Sequence, residues 1–236
     1  MSLVVEVGQR SLNKAGEEIC GDWVKVVRSP SSTVIALSDG LGSGVKANIL
    51  ATITTEIATS MIQKGASFEE TLETITATLP ICRVRRTAYA TITLLKIESD
   101  GTAYVAEYDN PRLFYIRSGR TAPLERVERD VGPRRVAEAH LVLRDGDYLV
   151  AVSDGVTHAG IGGQLSLGWG ERRIARFLEE ATLDGPDSLV LADRVADQAL
   201  AYSDGHPGDD ATVVVARTRP TRYITVLTGP PADRTT

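Results

Sequence analysis

Aspartates at the ends of apolar runs are the residues in this chain best placed to do chemistry. Asp39 follows Thr33–Leu37 in Ser38-Asp39-Gly40, and Asp154 follows Tyr148–Val152 in Ser153-Asp154-Gly155. Asp22 follows Gly21 just before a β-rich stretch, and Asp209-Asp210 directly precede the run ATVVVA. A carboxylate at the end of a buried strand is costly unless something compensates it. Hard divalent cations such as Mg²⁺ or Mn²⁺ take oxygen ligands and compensate it well. The glycine after each carboxylate lets the backbone turn and exposes a carbonyl to the same ion. A single Asp-Gly is an ordinary turn pair, and Ser203-Asp204-Gly205, which follows a helical pattern, reads as a turn. Recurrence in the same strand-end context sets Asp39 and Asp154 apart.

Other phosphate chemistries fit less well. A cysteine nucleophile needs C-x5-R, and the residues six beyond Cys20 and Cys82 are Val26 and Ala88. Both cysteines read as small buried residues. Asp145-Gly146-Asp147 sits where a hairpin turn is expected, and no P-loop pattern occurs. The stretch from TVIALSD through Gly42-Ser43-Gly44-Val45-Lys46-Ala47 matches the strand–G-x-G-x-x-A–helix of a dinucleotide-binding module. Asp39 would then lie beside the pyrophosphate, and no prompt βαβ return follows.

These aspartates need elements to hold them. Residues 2–8 read as a first strand, and 23–29 with 33–38 as a hairpin. Ile49, Ile53, Ile57 and Met61 recur every four residues and mark a helix face. Ser67 with Glu70 forms a capping box that opens a second helix ending near Pro80. Several strands follow, punctuated by Asp100-Gly101, Ser118-Gly119 and Asp145-Gly146. Ile174, Phe177, Leu178 and Ala181 mark a third helix, and Leu189, Ala192, Val195, Ala196, Ala199 and Leu200 a fourth. ATVVVAR and YITVLT close the chain as strands. A long meander with helix pairs on either side predicts an α+β fold of antiparallel sheet with helices outside. We expect one domain over residues 1–218, and a C-terminal strand and loose tail over 219–236. The glycine-rich segment 159–170 reads as a flap near the site or as a plain connector, with Trp169 packing under it or marking a partner surface.

In their order along the chain, Gly21-Asp22, Ser38-Asp39-Gly40-Leu41-Gly42-Ser43-Gly44 with Ala47, Ser153-Asp154-Gly155 and Gly208-Asp209-Asp210-Ala211-Thr212 resemble the PPM-type metal-dependent serine/threonine phosphatases. The resemblance is to the bacterial SpoIIE/RsbU/RsbX branch, and residues 12–22 also look like the start of RsbX-type phosphatases. It implies an αββα sandwich of two antiparallel sheets flanked by helix pairs, with two divalent cations, Mn²⁺ or Mg²⁺, at one end. By motif match it implies that Asp39 bridges both ions and that the Gly40 carbonyl binds one. Asp154 and Asp209 would complete one shell, and Asp22 would act on the other ion directly or through water. Asp39 and Asp154 are then the catalytic aspartates, and Asp210 is left without an assigned role. The implied reaction is hydrolysis of phosphoserine or phosphothreonine in a signalling or stress-response protein, such as a STAS-type anti-sigma-factor antagonist. A phosphoprotein-binding scaffold on the same fold is the non-enzymatic alternative. Two departures stand out. Leu41 occupies the position of the histidine that eukaryotic members use to protonate the leaving group. The phosphate-binding arginine of those members has no clear counterpart, with Arg83, Arg85 and Arg86 as candidates.

The bulk properties agree. The chain has 236 residues, 42% hydrophobic and 24% charged, with net charge −5. No basic stripe suggests nucleic acid, and no apolar run approaches the roughly 18–20 residues that span a bilayer. The N-terminus lacks the pattern of a secretory signal. Two cysteines in a chain of this size fit a reducing cytoplasm better than a disulfide framework.

Overall fold

The computed structural model describes residues 2–78, 90–131 and 134–221. Cys82, the arginines at 83, 85 and 86, and the strand expected over YITVLT lie outside the described residues.

Two antiparallel sheets stack face to face. One carries β1 (Leu3–Leu12), β11 (Ala211–Pro220), β10 (Tyr148–Val152), β6 (Phe114–Arg117) and β7 (Arg120–Thr121), in that spatial order. The other runs β2 (Asp22–Arg28), β3 (Ser32–Asp39), β4 (Ile92–Glu98), β5 (Thr102–Tyr108), β9 (Arg134–Val142) and β8 (Val127–Val131). Between them lies an apolar core that includes Ile35, Leu37, Leu95, Val105, Leu149, Ala151 and Val214. Each fully buried valine, leucine or isoleucine there contributes about 1.5–3 kcal/mol. Helices α4 (Glu171–Ala181) and α5 (Ser188–Tyr202) cover the first sheet through Ile174, Leu178, Leu191, Val195 and Ala199. Helices α1 (Gly44–Gln63) and α2 (Phe68–Thr78) cover the second through Ala58, Ile62, Leu72 and Ile75. A single short turn, α3 (Asp154–Thr157), follows β10. The result is the four-layer αββα sandwich.

The hairpin of β2 and β3 forms as expected, with Asp22 opposite Asp39. The capping box also forms. The Ser67 hydroxyl accepts the Glu70 N–H at 3.1 Å, and the Glu70 carboxylate accepts the Ser67 N–H at 2.9 Å. Ser203-Asp204-Gly205 is a turn, with Asp204 and Gly205 both at positive φ. The boundary expected at residue 218 falls inside β11.

One expected face is different. The isoleucine line of α1 does mark a helix, but Ile49 and Ile53 are 51% and 44% exposed. The buried face is instead Ala47, Ala51, Thr54, Thr55, Ala58, Thr59 and Ile62. The reason is distance. An added Cβ on Gly40 would fall 2.0 Å from the Ala47 carbonyl oxygen, so the helix lies too close for large side chains. The threonine hydroxyls are satisfied within the helix by the carbonyls of Leu50, Thr52 and Thr55. The dinucleotide alternative also fails here. Both neighbours of β3 are antiparallel to it, so no doubly wound parallel sheet exists around Gly42-Ser43-Gly44.

Candidate active site

Asp22 opens β2 and Asp39 closes β3, directly opposite each other in the antiparallel pair. Opposed residues project from the same face, so register alone brings these two carboxylates together. Asp154 leaves the end of β10, and Asp209-Asp210 lead into β11, the strand hydrogen-bonded to β10. Asp22 and Asp39 lie in one sheet and the others at the same end of its partner. The electrostatics tie them into one group. The carboxyl of Asp39 is pushed up to about 9, first by burial, then by the charges of Asp22, Asp154 and Asp209. That of Asp22 rises to about 6, chiefly through burial, with Asp210 and Asp154 adding to it against the Ser153 hydrogen bond. Burial and the charge of Asp209 raise Asp154 as well.

The supports are specific. The Ser153 hydroxyl donates to Asp22 at 2.7 Å and accepts the Thr212 N–H at 2.9 Å, tying the two sheets together. The Thr91 hydroxyl accepts the Asp39 N–H at 3.1 Å, and the Thr91 N–H donates back to the Asp39 carbonyl at 2.9 Å. Gly40 and Gly155 lie outside the left-handed region of φ. They are glycine because of close backbone approach. A Cβ on Gly40 would meet Ala47, and one on Gly155 would fall 2.0 Å from the Asp210 carbonyl oxygen. Sequence reasoning assigned these glycines to turning, whereas packing requires them.

Asp210, left without a role by sequence, is buried. One of its oxygens accepts the Lys14 N–H at 2.9 Å and the other has no partner. Asp209 is 46% exposed on its side chain and Asp154 is 42% exposed. The cluster is therefore closed at Asp22 and Asp210 and open at Asp154 and Asp209. Beside the open side lies a cavity of about 400 Å³ bounded by His158, the Gly160–Gly163 turn, Asp204, His206 and Asp209. The glycine-rich segment thus borders the site, and Trp169 packs beneath it against Phe177 and Tyr202. Of the histidines, His158 stands 3.8 Å from Asp154. His206 bonds the Asp204 carbonyl, and His140 packs edge-on against Tyr104 on β5. Ser153, Thr91 and Lys14 were missed from sequence. Only Ser153, repeated as Ser38 before the other Asp-Gly, left a signal there.

Among the described residues, no three His, Cys, Asp or Glu side chains surround one point at coordinating distance. Mg²⁺ does not need that arrangement, because it is commonly held by one or two carboxylates with several waters retained. The donor set fits such an ion. It is all oxygen, it is strongly negative, and buried oxygens of Asp22 and Asp210 have no hydrogen-bond partner.

A four-layer αββα sandwich with aspartates gathered at one end of its strands is the architecture of the PP2C-type serine/threonine phosphatases. The pattern of the family described as Stage II sporulation protein E (SpoIIE) matches residues 29–219, and the chain belongs to that family. Stage II sporulation protein E of Priestia megaterium is 23% identical over 91% of this chain, which spans only 36% of that protein's length. The solved phosphatase domain of the Bacillus subtilis cell-fate determinant SpoIIE superposes with a TM-score of 0.69 at 21% identity, covering 97% of this chain and 99% of that one. RsbX solved in complex with magnesium gives a TM-score of 0.64 at 17% identity, covering 91% and 95%.

Proposed function

We propose that this chain is a phosphoprotein phosphatase that hydrolyses phosphoserine or phosphothreonine with two divalent cations, Mn²⁺ or Mg²⁺. The observation that carries this reading is the group of mutually repelling carboxylates, buried at Asp22 and Asp210 and half-buried at the rest, at one end of the sandwich. Such a group opposes folding unless positive charge enters it. Asp39 has repulsive partners in Asp22, Asp154 and Asp209, which suits it to contact both ions, with the Gly40 carbonyl on one of them. Asp154 and Asp209 would help hold one ion, and Asp22 would hold the other, directly or through water. Divalent cations held there would supply a water acidic enough to ionise near neutral pH and a clamp on the phosphoryl oxygens. The protein's own part is positional. Ser153 fixes the Asp22 carboxylate, and Thr91 fixes the Asp39 backbone. The open side at Asp154 and Asp209 admits a phosphorylated side chain.

The partner is a phosphoprotein, and by kinship a regulator such as a STAS-type anti-sigma-factor antagonist. The free Cys20 thiol accords with work in the reducing cytoplasm. No described helix is long and apolar enough to cross a membrane. The test is phosphate release from phosphoserine, phosphothreonine and phosphotyrosine peptides with Mn²⁺ or Mg²⁺ present. Release from the first two and not the third supports the proposal. No release from any by folded protein that still binds a phosphoprotein replaces it with the scaffold reading.

A further inference from the structure

The site has abundant negative charge and, among the described residues, one lysine or arginine ion-paired to it. Lys14 Nζ lies 3.8 Å from Asp209 Oδ1. The segment that carries Lys14 is anchored at both ends across the site. On one side, the Lys14 N–H donates to Asp210 at 2.9 Å and the Ala15 N–H to the Pro207 carbonyl at 2.8 Å. On the other, Ser43 donates to Glu17 at 2.7 Å, and the Asn48 amide donates to the Cys20 carbonyl at 2.8 Å. The backbone of Lys14 is therefore fixed while its side chain remains 38% exposed.

The distance to Asp209 also matters. Charge-assisted hydrogen bonds run at about 2.7–2.9 Å, so this ammonium is attracted to Asp209 without being committed to it. An ammonium has three donors. A phosphate monoester brings roughly −1.5 to −2 charges, and approach to a carboxylate cluster opposes its entry. Asp209, the pairing partner, sits on the open side and lines the cavity there.

We propose that Lys14 is the phosphate-positioning cation of this site, its ammonium donating to a non-bridging oxygen of the substrate phosphoryl group. The assignment rests on the phosphatase reading. A cation held at Asp209 would offset the carboxylate charge and leave the ammonium available to the substrate.

The test is calorimetric titration of inorganic phosphate into the Mn²⁺-loaded protein, with Lys14→Met and Lys14→Arg beside it, together with steady-state kinetics. Methionine keeps the backbone bond to Asp210. A lost charged hydrogen bond corresponds to about a tenfold to hundredfold change in affinity. Phosphate Kd and substrate KM should both rise by that factor in Lys14→Met. The kcat should change by less than about threefold, as for uniform binding. Lys14→Arg should recover most of the loss, and Mn²⁺ affinity should stay unchanged. Unchanged phosphate affinity in Lys14→Met overturns the assignment. So does a loss fully explained by weaker Mn²⁺ binding, or a loss seen with Arg83→Ala or Arg85→Ala and not with Lys14→Met. Wild-type protein that binds phosphate through Lys14 yet hydrolyses nothing would keep this assignment and remove the phosphatase reading. Wild-type protein that binds no phosphate would remove the assignment itself.

Discussion

Replacing Asp39 with asparagine should stabilise the metal-free protein while removing its response to metal. The carboxyl of Asp39 lies well above its unfolded value, at about 9 against 3.8, because burial and three neighbouring carboxylates disfavour the charge. Between those values the folded state binds more protons than the unfolded one, so stability falls as pH rises from about 4 to about 9. At pH 7 the gap corresponds to at most about 4 kcal/mol. Asparagine carries no charge at any pH and keeps the shape. In EDTA at pH 8, Asp39→Asn should be more stable than wild type by on the order of 2–4 kcal/mol, with a flatter dependence on pH. Cation closes most of that gap. At a hundred times its Kd, a bound ion stabilises by about 2.7 kcal/mol, a gain wild type should show and Asp39→Asn should largely lose. Urea unfolding followed by tryptophan fluorescence at several pH values, with EDTA or Mn²⁺, measures all of this. An Asp39→Asn protein that is less stable than wild type in EDTA, with an unchanged pH slope, would refute the argument that these carboxylates oppose one another.

Other consequences follow from the same contacts. Gly155→Ala should cost about 1–3 kcal/mol or more, because its Cβ meets the Asp210 carbonyl oxygen at 2.0 Å, and metal affinity should fall as Asp209-Asp210 shift; urea unfolding and calorimetry read the two effects. Ser153→Ala removes a donor to buried Asp22 and an acceptor for the Thr212 N–H, so it should cost about 1–3 kcal/mol and deepen the loss of metal-free stability at high pH, seen in denaturation series. Asp147→Asn weakens a buried node that holds Arg117, Tyr115 and the Arg144 N–H; it should lower stability by about 2–4 kcal/mol while leaving kcat at saturating metal unchanged.

Much of this was legible in sequence, for identifiable reasons. Strand ends are marked by where apolar runs stop, so Asp39 and Asp154 stand out in the sequence itself. The Ser67–Glu70 cap is a local hydrogen-bond pattern and needed nothing distant. The buried face of α1 was not legible, because the close approach at Gly40 makes alanine and threonine the core there and leaves Ile49 and Ile53 turned outward. Lys14 was invisible for another reason. Its partners Asp209 and Asp210 are far away in the chain, and only the pairing of β1 with β11 brings them close. Asp210 was passed over because the residue beside it carried the motif, although Asp210 is the more deeply buried of the two.

The most direct test of the central claim is hydrolysis of a generic aryl phosphate by the purified protein in Mn²⁺, in Mg²⁺ and in EDTA, with Asp39→Asn in parallel. The account predicts turnover that requires the divalent cation and disappears in Asp39→Asn. Turnover that persists in EDTA or survives the substitution would contradict it, as would its absence in every metal from folded protein that binds those metals.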